Sequence, residues 1–204
     1  MVNFELEAAK QAWAVQMHYA RCGKTLSEVA LAGASRFEEY RHYPKKDVVD
    51  SVSGYQFYYH AHQDVDAQQG HHGHFHLFKT LKNNEFVHLG AIAMSQQGMP
   101  VCLFTTNRWV TGEVWKDAKT VLRHLRRFDV KVSGRMQPIA KWLKSLTQLL
   151  DAEFERVLNH RDQRMSRLLN TTSAKNIWED RSLHVMSSVK VNWLKRLAVL
   201  DGKK

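Results

Sequence analysis

The spacing of apolar residues changes twice along the chain and divides it into three regions. Apolar positions recur at helical spacing over residues 4–40, with a break at Gly23 and with Ser27 as the expected N-cap of a second helix. Over residues 55–106 they occur in short, often alternating segments separated by turn residues, which is typical of strands. Helical spacing returns over residues 112–170. The pattern predicts helices, then strands, then helices.

The strand region contains four such segments, and the stretch before it, from Pro44 to Gly54, is expected to be a connection. The predicted strands cover residues 55–62, 73–81, 86–94 and 101–105. Their connections are short, which favours antiparallel neighbours in sequential order. We therefore predict a single α+β domain over residues 1–204, in which an antiparallel meander of about four strands is flanked by N-terminal and C-terminal helices.

The C-terminal part of the chain supports two interpretations. Pro138 suits the first turn of a helix, and apolar residues continue at helical spacing beyond it. Further on, strand-like alternation is found at Leu183, Val185, Ser187, Val189 and Val191. Residues 193–200 return to helical spacing, so the conformation of residues 182–200 stays open at this point.

Histidine is concentrated in the first two predicted strands and the turn between them. His60 and His62 form one His-x-His pair, and His74 and His76 form another. Side chains two residues apart on a strand share a face, and cross-strand neighbours lie about 5 Å apart. Because neutral imidazole is a common ligand of transition metals, these four residues predict a site for one divalent ion, with zinc, iron, manganese and nickel not distinguished.

Other polar residues nearby could complete this site or replace the metal. Asp64 and Asp66 could supply an oxygen ligand or orient a ring, and His72 could supply a further nitrogen. Tyr58 shares the predicted face of His60 and could hydrogen-bond a buried histidine. The competing interpretation is therefore a ladder of histidines that binds no metal.

Three segments together resemble a family of bacterial proteins known only as a domain of unknown function. They are YYHAH at residues 58–62, GHFHLF at 73–78 and LFTTNRWVT at 103–111. The similarity covers about residues 37–161. Since the resemblance implies no activity, the function has to be inferred from the residues themselves.

Known metal motifs match only in part. Gly54, His60, His62 and Gly73 resemble the first cupin motif, but Asp66 stands where that family has Glu, and the second motif has no counterpart. Residues 72–78 also satisfy the His-x-His-x-His spacing of nucleotidyl hydrolases and transferases, although Gly73 is a poor match for a hydrophobic position.

Residues 73–77 resemble the His-hydrophobic-His strand of nucleases that cut single-stranded DNA through a tyrosine and a divalent ion. The candidate nucleophiles are Tyr19, Tyr40 and Tyr43, all of which precede the histidines. This nuclease is one alternative to a metal site of unknown reaction, and a non-enzymatic basic module that binds nucleic acid is another. Whether the protein is an enzyme stays open.

The positive charge lies almost entirely in the second half of the chain. The net charge is +10; residues 116–204 contain twenty Lys and Arg against nine Asp and Glu, whereas residues 1–115 contain ten against eleven. The helices of this half therefore predict contact with a polyanion such as nucleic acid. Arg123, Arg126 and Arg127 form one cluster, and a stripe at helical spacing contains Arg156, His160, Arg164 and Arg167.

The remaining features bear on anion binding and location. Asn107 and Arg108 fall where a strand ends and a helix begins, a position that can hold an anion. The first residues lack the pattern of a signal peptide, and no apolar run is long enough for a bilayer. Two cysteines do not form a disulfide framework, so we expect a cytoplasmic protein without a membrane partner and of undetermined oligomeric state.

Overall fold

A six-stranded antiparallel sheet is the centre of the fold, and helices pack against one of its faces. The computed structural model describes residues 2–34, 38–62, 70–171 and 177–201. The strands lie in the sheet in their order along the chain. They are β1 (Tyr43–Val49), β2 (Tyr55–His60), β3 (Gly73–Thr80), β4 (Phe86–Met94), β5 (Pro100–Thr106) and β6 (Val185–Lys190). The α+β class and the antiparallel meander are thus confirmed.

Seven α-helices occur in the described parts of the chain. They are α1 (Val2–Arg21), α2 (Leu26–Ala30), α3 (Arg108–Thr111), α4 (Ala118–Leu125), α5 (Gln137–Leu149), α6 (Asp151–Thr171) and α7 (Trp193–Asp201). Pro138 occupies the first turn of α5 as predicted, where its missing N–H would have no helical partner anyway. No helix in the described ranges is long and apolar enough to cross a membrane.

The main hydrophobic core lies between the helices and one face of the sheet. The sheet contributes Phe57, Tyr59, Phe75 and Leu77, each fully buried, and the helices contribute Trp142 and other large side chains. The rings of Phe75 and Trp142 lie 6.0 Å apart. Burying each such side chain stabilises the fold by about 1.5–3 kcal/mol. The strand residues that face away from this layer include His60, His74 and His76.

The prediction of about four strands was wrong, because both edge strands were missed. β1 lies in the stretch expected to be a connection; it contains Pro44, Lys45 and Lys46, residues that suit an edge strand better than a central one. β6 lies in the segment left open, and it pairs with β5 across a long sequence separation, with Val189 opposite Leu103. Such pairing depends on the packed helices between the two strands, and spacing alone does not reveal it.

The predicted start of the second helix was also displaced. Thr25, rather than Ser27, caps α2: its hydroxyl accepts from the Glu28 N–H, and the Glu28 carboxylate accepts from the Thr25 N–H at 2.7 Å. Ser27 is buried and donates its hydroxyl to the Ser95 carbonyl at 2.9 Å. It therefore ties α2 to the turn between β4 and β5.

Candidate metal centre

Three histidines meet on the face of the sheet opposite the main hydrophobic core, and the β2–β3 hairpin brings them together. The register pairs His60 with His74 and Tyr58 with His76, so that His60, His74 and His76 point to the same side. The Nε2 atoms of His60 and His74 are 2.6 Å apart. Each of the three residues offers one nitrogen, and these nitrogens all lie within 4.8 Å of one another.

This spacing is close to that of a metal-ligand set. In a tetrahedral zinc site with Zn–N bonds of about 2.0–2.1 Å, ligand nitrogens are separated by about 3.4 Å. The observed separations, from 2.6 Å to at most 4.8 Å, bracket that value. A tetrahedral ion would therefore require the Nε2 atoms of His60 and His74 to lie further apart than 2.6 Å.

Burial keeps the imidazoles of His60 and His76 neutral at ordinary pH. Desolvation lowers the pKa of His60 to about 2, with further lowering from the nearby His74 and His62. His76 is 2% exposed, and burial, followed by the proximity of His74 and His88, holds its pKa well below the usual range. Since only a neutral imidazole ligates a metal, the low pKa values favour binding.

His88, which the sequence did not single out, lies directly behind His76. Its Nε2 is 2.9 Å from Nδ1 of His76, and its Nδ1 is 3.3 Å from the Thr106 hydroxyl and 4.0 Å from Oε1 of Glu113. The Glu113 carboxylate also accepts from the backbone N–H of His88 at 2.9 Å. Burial lowers the pKa of His88 to about 3 and raises that of Glu113 to about 7.

A β-bulge explains why simple alternation fails to predict His88. On β4, Ala91 lies opposite His76, but the register then shifts so that His88 lies opposite Phe78. The residue inserted by the shift, Leu89, changes the parity of the strand. In a regular strand His88 would have pointed into the helix-covered core.

Aromatic rings enclose the three histidines. Tyr58 stacks on His42 with ring centroids 3.6 Å apart and lies 5.2 Å from the His76 ring. The Phe104 ring is 5.1 Å from the His74 ring. Desolvation raises the pKa of the Tyr58 hydroxyl, so the side chain stays neutral. It therefore packs against the histidines and does not act as a charged ligand. His42, which is bonded to Asp47 at 2.8 Å, was likewise not recognised from the sequence.

The remaining histidine of the predicted set lies at the rim. The His62 ring is 4.8 Å from the His60 ring and 5.4 Å from the His74 ring, and it is not among the three residues whose nitrogens converge. Tyr40, whose side chain is 69% exposed, lies with its ring 4.5 Å from His62. His184 is also close: burial and the nearby His62 lower its pKa.

The other predicted site residues lie elsewhere. The His72 ring turns to the opposite side of the hairpin, where its Nδ1 is 2.6 Å from the Tyr59 hydroxyl. This follows because β3 begins only at Gly73, so alternation does not govern residue 72. Asp64 and Asp66 lie outside the described residues.

Asn107 and Arg108 have intramolecular partners. The Asn107 side chain accepts from the Arg108 N–H as the N-cap of α3, and it donates to the Ile177 carbonyl. The Arg108 guanidinium forms an ion pair with Glu179, with Nε 3.0 Å from the carboxylate. In this arrangement both residues hold residues 177–179 against α3.

Comparison with known proteins gives a family and no function. Residues 6–191 match the profile of a family described as a domain of unknown function, DUF6969. The match is wider than the resemblance seen in the sequence, and it includes both edge strands of the sheet. No curated protein and no solved structure matches the chain.

Proposed function

The chain belongs to the DUF6969 family, a domain of unknown function, and we propose from its geometry that it binds one divalent transition-metal ion through His60, His74 and His76. Three protein ligands leave a fourth position for water or a substrate, which is the pattern of a catalytic rather than a structural site. An ion held there would act as a Lewis acid or would activate a bound water.

The convergence of three imidazole nitrogens within 4.8 Å carries this proposal. Two of them, the Nε2 atoms of His60 and His74, point at each other across 2.6 Å. Two neutral rings in this position can share only one hydrogen, whereas a cation between them would use both lone pairs. His74 is 5% exposed and His60 is only half-buried, so access to the site is from the His60 side.

The donor set narrows the choice of metal. All three described ligands are imidazole nitrogens, which suit zinc, iron, copper and nickel, whereas magnesium, calcium and manganese prefer oxygen. Of the four ions expected from the sequence, manganese is therefore the least suited. We propose zinc or iron as the first ions to test.

Metal-dependent stabilisation tests the proposal. An ion that binds only the folded state raises the unfolding temperature by mass action. We expect zinc or ferrous iron to stabilise the wild-type protein, purified without a tag, and His60→Asn to lose most of the shift. His60 is chosen because it is the least buried of the three ligands, and its replacement disturbs the core least.

The matched control is His160→Asn, which removes an exposed histidine from α6. It should retain the full metal-induced shift. Equal stabilisation of the wild-type protein and the His60 variant, or no stabilisation by any transition metal, would refute a site at His60, His74 and His76.

A second function is favoured by the position of one tyrosine. Of the three candidate nucleophiles, Tyr43 is buried with its hydroxyl accepting from the Glu38 N–H, and Tyr19 packs against the main core. Only Tyr40 is exposed, and its ring lies 4.5 Å from His62 at the rim of the histidine cluster. We propose Tyr40 as the nucleophile if the centre cleaves single-stranded DNA.

A tyrosine nuclease forms a covalent bond between its hydroxyl oxygen and the DNA phosphorus, and the leaving oxygen departs with a proton. Labelled single-stranded DNA incubated with the protein and zinc should then give a protein–DNA band that persists in denaturing electrophoresis and disappears in Tyr40→Phe. Tyr19→Phe is the control and should retain the band. Absence of a band in the wild type would leave the metal centre without this activity.

A further inference from the structure

His76 and His88 form a buried pair, and the atoms they use determine which nitrogen of His76 can reach a metal. His76 directs Nδ1 at Nε2 of His88 across 2.9 Å. Both rings are 2% exposed, so water does not compete for this hydrogen bond. With Nδ1 engaged, Nε2 is the nitrogen of His76 that remains for the ligand set.

The hydrogen in this bond can belong to either ring. If His76 donates through Nδ1, its Nε2 carries a lone pair and can ligate. If His88 donates through Nε2, His76 accepts at Nδ1, carries its hydrogen on Nε2 and cannot ligate. A neutral imidazole has one hydrogen only, so the partner of the second His88 nitrogen decides between the two arrangements.

The surroundings of His88 favour the first arrangement. Because Nε2 of His88 faces His76, its Nδ1 is the nitrogen that faces the remaining polar groups. This Nδ1 lies 3.3 Å from the Thr106 hydroxyl oxygen, which can accept its hydrogen, and the Glu113 carboxylate 4.0 Å away favours a donor at that nitrogen electrostatically. With hydrogen on Nδ1, the neutral His88 ring has only a lone pair at Nε2.

We propose that His88 is a positioning residue: it holds His76 in the tautomer with hydrogen on Nδ1 and so directs a lone pair at Nε2 toward His60 and His74. The role toward the metal rests on the proposed function, whereas the tautomer is a property of the metal-free protein as well. Ligating histidines in metalloproteins commonly donate their second nitrogen to a carbonyl or carboxylate, and loss of such a partner costs about 10–100-fold in affinity.

The β4 bulge is the structural basis for this role. Without the extra residue Leu89, His88 would lie on the other face and His76 would have a different partner. Gly90, which follows the inserted residue, has φ +136°, a conformation that side chains rarely adopt. The Glu113 carboxylate then accepts from the backbone N–H of His88 and fixes the strand at this point.

Two variants separate the hydrogen bond from the packing of the ring. His88→Gln keeps a polar atom near the position of Nε2 that can accept from His76, whereas His88→Leu retains bulk and removes the acceptor. We expect zinc affinity to fall about 10–100-fold in His88→Leu and to stay close to wild type in His88→Gln. His160→Gln, which removes an exposed histidine of α6 outside the histidine cluster, is the control and should bind zinc as the wild type does.

Nitrogen-15 NMR of the histidine side chains identifies the tautomer of His76 directly. In metal-free wild-type protein we expect His76 to carry hydrogen on Nδ1, and after addition of zinc we expect Nε2 to be the ligating atom. Hydrogen on Nε2 of His76 in the metal-free protein would overturn the inference, as would unchanged zinc affinity in His88→Leu. If the wild type binds no transition metal, the proposed function fails, and the metal-free spectrum still decides the tautomer.

Discussion

At the scale of single residues, the sequence predicted the three histidines that converge in the structure, which are His60, His74 and His76. The two His-x-His pairs predict a shared face because strand side chains alternate, and the register places His60 opposite His74. His88 escaped prediction because a single inserted residue reverses that alternation. A bulge is set by packing on both sides of the strand, and the spacing of residues does not reveal it.

Asp50 is a second residue whose role depends on tertiary contacts. It is 5% exposed, and its carboxylate accepts from Val52 N, Ser53 N, Ser53 Oγ and Lys131 N at 2.8–3.2 Å. We expect Asp50→Asn to lower the free energy of unfolding by about 2–3 kcal/mol, because the amide leaves donors unpaired and removes the charge. Urea unfolding at pH 7 measures the loss. Asp180→Asn, at an exposed carboxylate that binds Ser182 in a similar way, should cost less.

The same carboxylate gives a pH dependence with a definite sign. Burial raises the pKa of Asp50, but the hydrogen bonds from Ser53, Lys131 and Val52 outweigh burial, and the net pKa is lowered. An acid with a lowered folded-state pKa stabilises the fold above its unfolded pKa of about 3.9 and loses that contribution as pH falls through the folded value. The difference between wild type and Asp50→Asn should therefore shrink below about pH 4. A constant difference would contradict this assignment.

At the scale of elements, α2 and the β4–β5 turn approach each other so closely that their backbones are in contact. The backbone of Gly98 has φ +74°, and a Cβ there would lie 2.5 Å from the Leu26 nitrogen. Gln16 of α1 donates to the Gly98 carbonyl at 2.8 Å. The sequence predicted both the helix and the turn, but not their contact, because nothing local to either element specifies it.

Replacing Gly98 tests this contact against a matched glycine. Gly23 has a similar φ of +67° but no neighbour within 4 Å of an added Cβ. Gly23→Ala should cost about 1–2 kcal/mol from backbone strain alone. Gly98→Ala should cost about 1–3 kcal/mol more, because the methyl group overlaps backbone atoms of α2. If both variants lost the same free energy of unfolding in thermal or urea denaturation, the turn would be able to move away from α2 without loss of stability.

At the scale of the whole molecule, several of the basic residues of the C-terminal half line a groove between α4 and α6. Its lining includes Lys119, Arg123, Arg126 and Arg127, together with Glu155 and Asn159. Asp151 binds Arg126 at 2.8 and 2.9 Å. Among the described residues, Lys119, Arg123 and Arg127 form no ion pair. We propose that these three cations contact the phosphates of a nucleic acid.

Charge reversal tests this surface. Binding of single-stranded DNA should weaken in the double variant Arg123→Glu and Arg127→Glu, and the slope of log affinity against log salt should fall by about two. The control is Lys45→Glu with Lys46→Glu, which makes the same change of net charge on the exposed edge strand β1. Equal weakening by both double variants would reduce the interaction to the overall charge of the protein.

The sequence was sufficient to predict the α+β class of the whole fold, but it predicted only four of the six strands. Spacing identified the central strands and the α+β class, because each strand alternates locally. β6 lies far from its partner β5 along the chain, and its pairing with β5 is stabilised from α6, where Arg164 donates to the Val185 and Met186 carbonyls. Long-range contacts of this kind place β6 at the edge of the sheet, and the spacing of residues along the chain does not reveal them.

The metal content of the protein tests the central claim most directly. The protein is to be purified without a tag and without chelators, and its transition metals are then measured by elemental analysis before and after dialysis against zinc or iron. The convergence of His60, His74 and His76 predicts about one ion per chain in the wild type, and much less in a His60→Asn variant prepared alongside. A wild-type protein that contains no transition metal and takes up none on dialysis would contradict a metal centre at these histidines.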